Sequence, residues 1–308
     1  GVCGFSSEIG LLDQEPEGFQ RQTSICRNTE FMAISIFLYI LFFIVVMVSL
    51  KMLVVLLEPR FTFFPIQGLE TDPDKMEIPV SEIPIQTADE ETVHTWLMEH
   101  SEARVDVLFF HGNGGNLSLW KDFLINLHRH SCTVFALDYR GYGKSTGSPT
   151  EEGLYQDADA FLRHYWNKVH QPNRKVIYWG RSLGGTICAY ATTIRKPDAV
   201  ILEASFPSKY SLLDHYPALK ILGLLSEFKF PTAEFLEDID RPVLIIHGDR
   251  DKVVPLRQGQ LLYDRLETEK YFHTISAGHN NLHQVDPDSY WEHINRLIDR
   301  ITNGQDSH

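Results

Sequence analysis

Cysteine is scarce in this chain: there are four in 308 residues, Cys3, Cys26, Cys132 and Cys188, far apart and with no C-x-x-C pair. That spacing argues against a disulfide-stapled scaffold and against the common zinc-site patterns, and the last two cysteines fall in apolar stretches that read as core. Positive charge is also in deficit. With 28 Lys and Arg against 41 Asp and Glu the net charge is −13, and no basic stripe is available to neutralise phosphates, so no nucleic-acid partner is expected. Internal repeats and low-complexity tracts are missing as well. At 43% hydrophobic and 22% charged, the composition is that of a globular protein long enough for one large domain and something more. No metal or organic cofactor is implied.

Charge disappears altogether from Phe31 to Leu50, and beyond Lys51 the run stays apolar through Leu57. A stretch of that length spans a hydrocarbon core of about 30 Å as a helix, so residues 31–57 are expected to be a transmembrane helix and the bilayer a partner. The run exceeds a signal-peptide h-region and is not followed by a small-x-small cleavage site. Phe61, Phe63 and Phe64 then stand where an aromatic belt would sit. Residues 1–30 are polar and aperiodic, which reads as a disordered or non-native tail; Met32, at the head of the apolar run, leaves a natural start there open. Arg21 and Arg27 on one flank are balanced by Arg60 and Lys75 on the other, so sidedness is not set. Residues 58–76, with Pro65, Pro73 and several acids, read as a linker, 77–302 as the folded domain and 303–308 as a tail.

From residue 77 onward, short β-type runs alternate with helical periodicity, which predicts a mostly parallel sheet with helices on both faces. The expected strands are Ile78–Gln86, Thr92–Met98, Val105–Phe110, Thr133–Asp138, Lys175–Trp179, Ala199–Glu203, Val243–His247 and Tyr271–Ile275. Helices are expected near Leu119–His130, Glu151–Lys168, Leu183–Arg195, Arg257–Thr268 and Ser289–Ile301.

The fifth of these strands runs into Gly180-Arg181-Ser182-Leu183-Gly184, a G-x-S-x-G stretch with a strand before it and a helix after it. That context makes it a nucleophile elbow, in which small residues flank the serine because side chains there would collide with neighbouring backbone. A serine hydroxyl needs a base to take its proton, and an imidazole base needs a carboxylate to fix its tautomer. Both follow at strand ends: His247-Gly248-Asp249-Arg250-Asp251, then Ser276-Ala277-Gly278-His279. Ser182 is the candidate nucleophile, His279 the base in preference to His283, and either Asp251 or Asp249 the acid. His128 and His130, near the end of a helix, read as surface residues.

Together with His111-Gly112-Asn113-Gly114-Gly115-Asn116 and Asp138-Tyr139-Arg140-Gly141-Tyr142-Gly143-Lys144-Ser145, these motifs resemble the Bem46-like branch of the α/β-hydrolase superfamily, which includes membrane-anchored α/β-hydrolase domain-containing proteins. The likeness covers roughly residues 60–302. It implies an α/β-hydrolase fold with an eight-stranded, mostly parallel sheet, helices on both faces and a short lid, preceded here by the transmembrane helix. It also implies that Asp251 is the triad acid, with Asp249 belonging to the turn, and that the backbone amides of Asn113 and Leu183 form the oxyanion hole. Asp138 and Arg140 are expected to tie their loop together rather than to react.

The implied activity is hydrolysis of an ester or thioester through an acyl-enzyme, on a small-molecule or lipid acyl substrate. A serine peptidase and a non-catalytic, membrane-tethered interaction domain are the alternatives. The segment 206–236 falls where this fold inserts its lid. Leu212, Leu213, Tyr216, Leu219 and Leu222 make an apolar stripe there, interrupted by Pro217 and blurred by Lys209, Lys220 and Glu227. The stripe either packs on the domain or lines an acyl pocket.

Overall fold

A computed structural model describes residues 17–216, 220 and 223–303. Residues 1–16 and 304–308, expected as tails, lie outside the described residues, as do Pro217, Leu219 and Leu222 of the apolar stripe. The chain divides between Val54 and Val55 into two compact units.

The described residues of the first unit, 17–54, are helical, and their helix continues into the second unit. Helix α1 (Glu17–Thr62) begins within the stretch read as a tail and contains a segment, Phe31–Thr62, long and apolar enough to cross a membrane. A helix nucleated in an apolar run extends cheaply, because each added residue fixes one more hydrogen bond, so local polarity at 17–30 does not stop it. Phe37 and Phe42, at 63% and 68% exposure, typify side chains that are apolar on every face and suit lipid better than water.

The second unit carries an eight-stranded sheet: β1 (Ser81–Gln86), β2 (Thr92–Met98), β3 (Val105–Phe110), β4 (Cys132–Asp138), β5 (Lys175–Arg181), β6 (Ala199–Glu203), β7 (Val243–Gly248) and β8 (Lys270–Ile275). The spatial order is β8-β7-β6-β5-β3-β4-β2-β1, parallel throughout except that β2 runs antiparallel to both β1 and β4. Strands this apolar need cover on both faces. Alternation along β3 supplies it: Leu108 and Phe110 face one core with α3 (Glu151–His164), α4 (Leu183–Ile194) and α5 (Leu256–Arg265), while Val107 and Phe109 face another with α2 (Lys121–Arg129) and α6 (Pro287–Asn303). The chain order reverses on either side of β3, and the ends of β3, β5, β7 and β8 open on one edge, the usual place for a site in such sheets.

Residues 58–76 are not a free linker. Glu58, Phe63 and Pro73 are buried, and Leu69 and Met76 pack on the core. Phe63 sits between Phe228 and Phe230, at ring distances of 5.5 and 6.2 Å, whereas Phe61 and Phe64 are exposed. The prolines and acids that suggest a linker say nothing about such partners far along the chain. Asp138 and Arg140 anchor their loop to other segments: Asp138 accepts from the Leu117 amide at 2.9 Å, and Arg140 bonds Asp157 and Asp89 at 2.9 and 2.8 Å.

Candidate active site

Ser182 occupies the sharp turn between β5 and α4 with φ 52° and ψ −119°, a conformation that L-residues rarely adopt. The flanking glycines explain how the turn is reached. A Cβ on Gly180 would meet the Gly184 carbonyl at 2.4 Å, and one on Gly184 would meet the Phe110 carbonyl at 2.1 Å, so only hydrogen fits at either place. The Ser182 amide donates to the Glu203 carbonyl at 2.8 Å, which fixes the turn to β6.

The loops after β7 and β8 close on this serine. Gly248 passes so near the second loop that a Cβ would lie 2.4 Å from the Ala277 carbonyl, and the Arg250 amide donates to the same carbonyl. His279 is thereby placed with Nε2 3.1 Å from Ser182 Oγ and Nδ1 2.6 Å from Asp251 Oδ2. An ionised carboxylate only accepts, so the proton sits on Nδ1 and leaves Nε2 free to accept from the serine hydroxyl. Burial opposes the charge on Asp251, but the bond from His279 and those from the Val254 and Val253 amides outweigh it and hold the carboxyl below its ordinary value. Both amides reach Oδ1 at 2.8 Å. His247 closes the same loop, donating from Nε2 to the Val254 carbonyl at 2.8 Å; burial lowers its pKa, which keeps it neutral.

The other candidates fall elsewhere. Asp249 is exposed and accepts from Ser276 Oγ at 3.2 Å. His283 is buried against Phe123 and Tyr290. Neither His128 nor His130 is a free surface residue: both are half-buried, His128 beside the His100 ring at 4.8 Å and His130 stacked on Trp291 at 3.7 Å. Cys188 is buried beside the elbow as packing, and burial raises its thiol pKa.

Beside Ser182 lies the glycine-rich loop after β3. A Cβ on Gly112 would come within 3.6 Å of Ser182 Cβ, so the backbone from His111 to Asn113 skirts this serine. Leu183 opens α4, and a first-turn amide has no acceptor within its own helix. The amides of Asn113 and Leu183 thus come from the two backbone stretches that flank the serine.

One contributor is missed by motif reading. Arg181, the variable residue of G-x-S-x-G, is 1% exposed; its Nη2 donates to the His279 carbonyl at 2.9 Å and its Nε lies 3.3 Å from Glu203 Oε1. Tyr290 donates to the other Glu203 oxygen at 2.9 Å, and the guanidinium lies over the Trp120 ring at 4.6 Å. A buried cation beneath the elbow holds the histidine loop by its backbone. The only sequence signal is an arginine between a buried strand and a serine.

In the lid segment, Leu212, Leu213 and Tyr216 are half-buried and Asp214 is exposed. The Tyr216 hydroxyl donates to the Lys252 carbonyl at 3.0 Å, beside Asp251, and Ser211 bonds Gln258 at 2.7 Å.

Comparison with known proteins agrees with this architecture. The family model described as the alpha/beta hydrolase fold matches residues 107–207. Protein bem46 of Schizosaccharomyces pombe is 32% identical over 227 residues, covering 68% of this chain and 74% of that protein. An uncharacterized membrane protein of Saccharomyces cerevisiae is 30% identical over 234 residues, covering 73% and 82%. Among solved structures, an esterase of Pyrococcus furiosus superposes with a TM-score of 0.64 at 17% identity, covering 78% of this chain and 98% of that one, a likeness of fold. Fold, motifs and relatives together show that the chain belongs to the Bem46-like branch of the α/β-hydrolase family.

Proposed function

We propose that this protein is a serine hydrolase that cleaves carboxylic esters or thioesters through an acyl-enzyme, on lipid-like acyl substrates. The observation that carries the reading is the relay Ser182–His279–Asp251, with contacts of 3.1 and 2.6 Å, built from the ends of three strands. Ser182 Oγ attacks the carbonyl carbon as His279 Nε2 takes its proton, and Asp251 stabilises the imidazolium without itself being protonated. The amides of Asn113 and Leu183 donate to the oxyanion. Collapse expels the alcohol or thiol, which receives the proton from His279, and water then releases the acid by the same steps in reverse roles.

One feature supports a lipid-like acyl group: the hydrolase unit belongs to a chain with a candidate membrane span. The P. furiosus structure of the same fold being an esterase fits ester chemistry. The test is a p-nitrophenyl ester series from acetate to dodecanoate, beside a peptide anilide. We expect kcat/KM to rise with chain length, each buried methylene adding up to about 0.8 kcal/mol, roughly fourfold, until the pocket is full. A maximum at acetate with a steady fall overturns the lipid reading, and preferential turnover of the anilide makes the protein a peptidase.

A further inference from the structure

The oxyanion donor assigned to Asn113 belongs to a loop, His111–Asn116, containing three glycines, which by itself has many accessible conformations. Catalysis needs its amide held within about 0.5 Å of one position. Part of the restraint comes from within the domain's motifs: the Tyr142 hydroxyl donates to the Asn113 carbonyl at 2.8 Å, and His111 Nδ1 lies 2.6 Å from the Gly112 carbonyl. The rest comes from the last residue of helix α1 and the stretch that follows it.

There, Asn113 Nδ2 donates to the Thr62 carbonyl. Phe64 and Pro65 pair in parallel with Gly114 and Gly115, and the Ile66 amide donates to the Gly115 carbonyl at 3.1 Å. Asn116, fully buried, spends both Nδ2 hydrogens on the same stretch, on the carbonyls of Ile66 at 2.9 Å and Gly68 at 2.8 Å. Gly143, in the second glycine-rich loop, exchanges bonds with Ile66 and Gly68 at 2.9 and 2.8 Å. Just upstream, Glu58 is buried against Lys209 at 3.0 Å and accepts from the Glu227 amide at 2.9 Å, so the same stretch also grips the lid.

We propose that Thr62–Gly68, which starts at the last residue of the candidate span, is a positioning element of the oxyanion hole, acting through the side chains of Asn113 and Asn116. This rests on the acyl-transfer reading above and deepens it: the segment that joins the span to the hydrolase completes the site instead of merely tethering it. Asn113→Ala keeps the backbone amide and the Tyr142 bond to its carbonyl, but cuts the side chain's tie to Thr62 and its weaker 3.2 Å contact with the Tyr142 hydroxyl. Asn116→Asp keeps the oxygen that accepts from the Ser118 amide while removing both donors to Ile66 and Gly68.

The experiment uses the full chain in detergent micelles, with the best ester of the series and a trifluoromethyl ketone of matching chain length. For both variants kcat should fall between about tenfold and a hundredfold, the cost of misplacing a catalytic group by about an ångström. KM should stay within about twofold and ketone affinity should fall in parallel with kcat, because only the oxyanion form has lost its donor. The pH profile should be unchanged, since His279 and Asp251 are untouched. Asn113 is half-buried in a loop, so its variant keeps the core; unaltered kcat and ketone affinity in Asn113→Ala overturn the proposal. A wild-type protein that hydrolyses no ester and binds no ketone refutes the acyl-transfer reading itself.

Discussion

Replacing Asp251 by asparagine should stop the reaction by changing one proton's address. Oδ1 of Asp251 accepts from the Val253 and Val254 amides at 2.8 Å, so an asparagine keeps its oxygen there and turns its NH₂ toward His279 Nδ1, where the carboxylate oxygen stood at 2.6 Å. Two donors cannot face each other. The imidazole therefore moves its proton to Nε2, which then donates toward Ser182 Oγ, 3.1 Å away, and can no longer accept. A wrong tautomer of this kind costs about 10⁴ in kcat, or about 5.4 kcal/mol of transition-state stabilisation. Asp249, exposed and bonded to Ser276 at 3.2 Å, contributes at most about 1 kcal/mol, so Asp249→Asn should retain activity to within roughly fivefold. The assay is kcat/KM on an ester for both variants, with thermal unfolding alongside to confirm that each is folded. If Asp249→Asn proves the more damaging, the reasoning fails and the acid of the relay has been misassigned.

The strained turn at Ser182, with φ 52°, predicts that Ser182→Gly abolishes hydrolysis while stabilising the fold by about 1 kcal/mol in urea unfolding; unchanged or lower stability would show no strain there. Arg181→Met should destabilise by about 3–5 kcal/mol because it strands Glu203 in the core, and adding Glu203→Gln should recover part of that loss; a mild single variant would contradict the buried pairing. The Arg140 guanidinium holds the Asp89 carboxyl at about 2 against an ordinary 3.8. A carboxyl depressed in the folded state adds stability that is complete above 3.8 and lost as the pH falls toward about 2. Asp89→Asn should therefore weaken the fall in urea-unfolding stability across that window, and an identical pH dependence would refute the linkage.

Much of this molecule can be read from local pattern. The strand Lys175–Trp179 extends only to Arg181, and Thr133–Asp138 gains only Cys132, because buried parallel strands are continuous apolar runs with glycine or charge at their ends. The helix predicted from Glu151 to Lys168 is α-helical to His164 and then a π turn, Tyr165–Val169, a change that periodicity does not register. Ile78 and Val80 look like the start of the first strand, yet they pack on the core without pairing, and the strand begins at Ser81. Ser182 and His279 are legible because glycines mark their turns. The choice between Asp249 and Asp251 is not, since both lie in one loop and only the approach of His279 separates them. Contacts between distant segments are least visible. Phe64 with Gly114 and Arg181 with His279 join residues about 50 and 98 positions apart, and nothing local at either end announces the other.

The most direct measurement of the central claim is the reaction of the full-length protein with a fluorophosphonate probe, followed by peptide mapping. An activated serine beside an intact oxyanion hole attacks phosphorus, so a single adduct should appear on Ser182, and it should be lost in Ser182→Ala and in a folded His279→Ala variant. A protein that stays unlabelled, or labels equally when His279 is removed, would contradict the account.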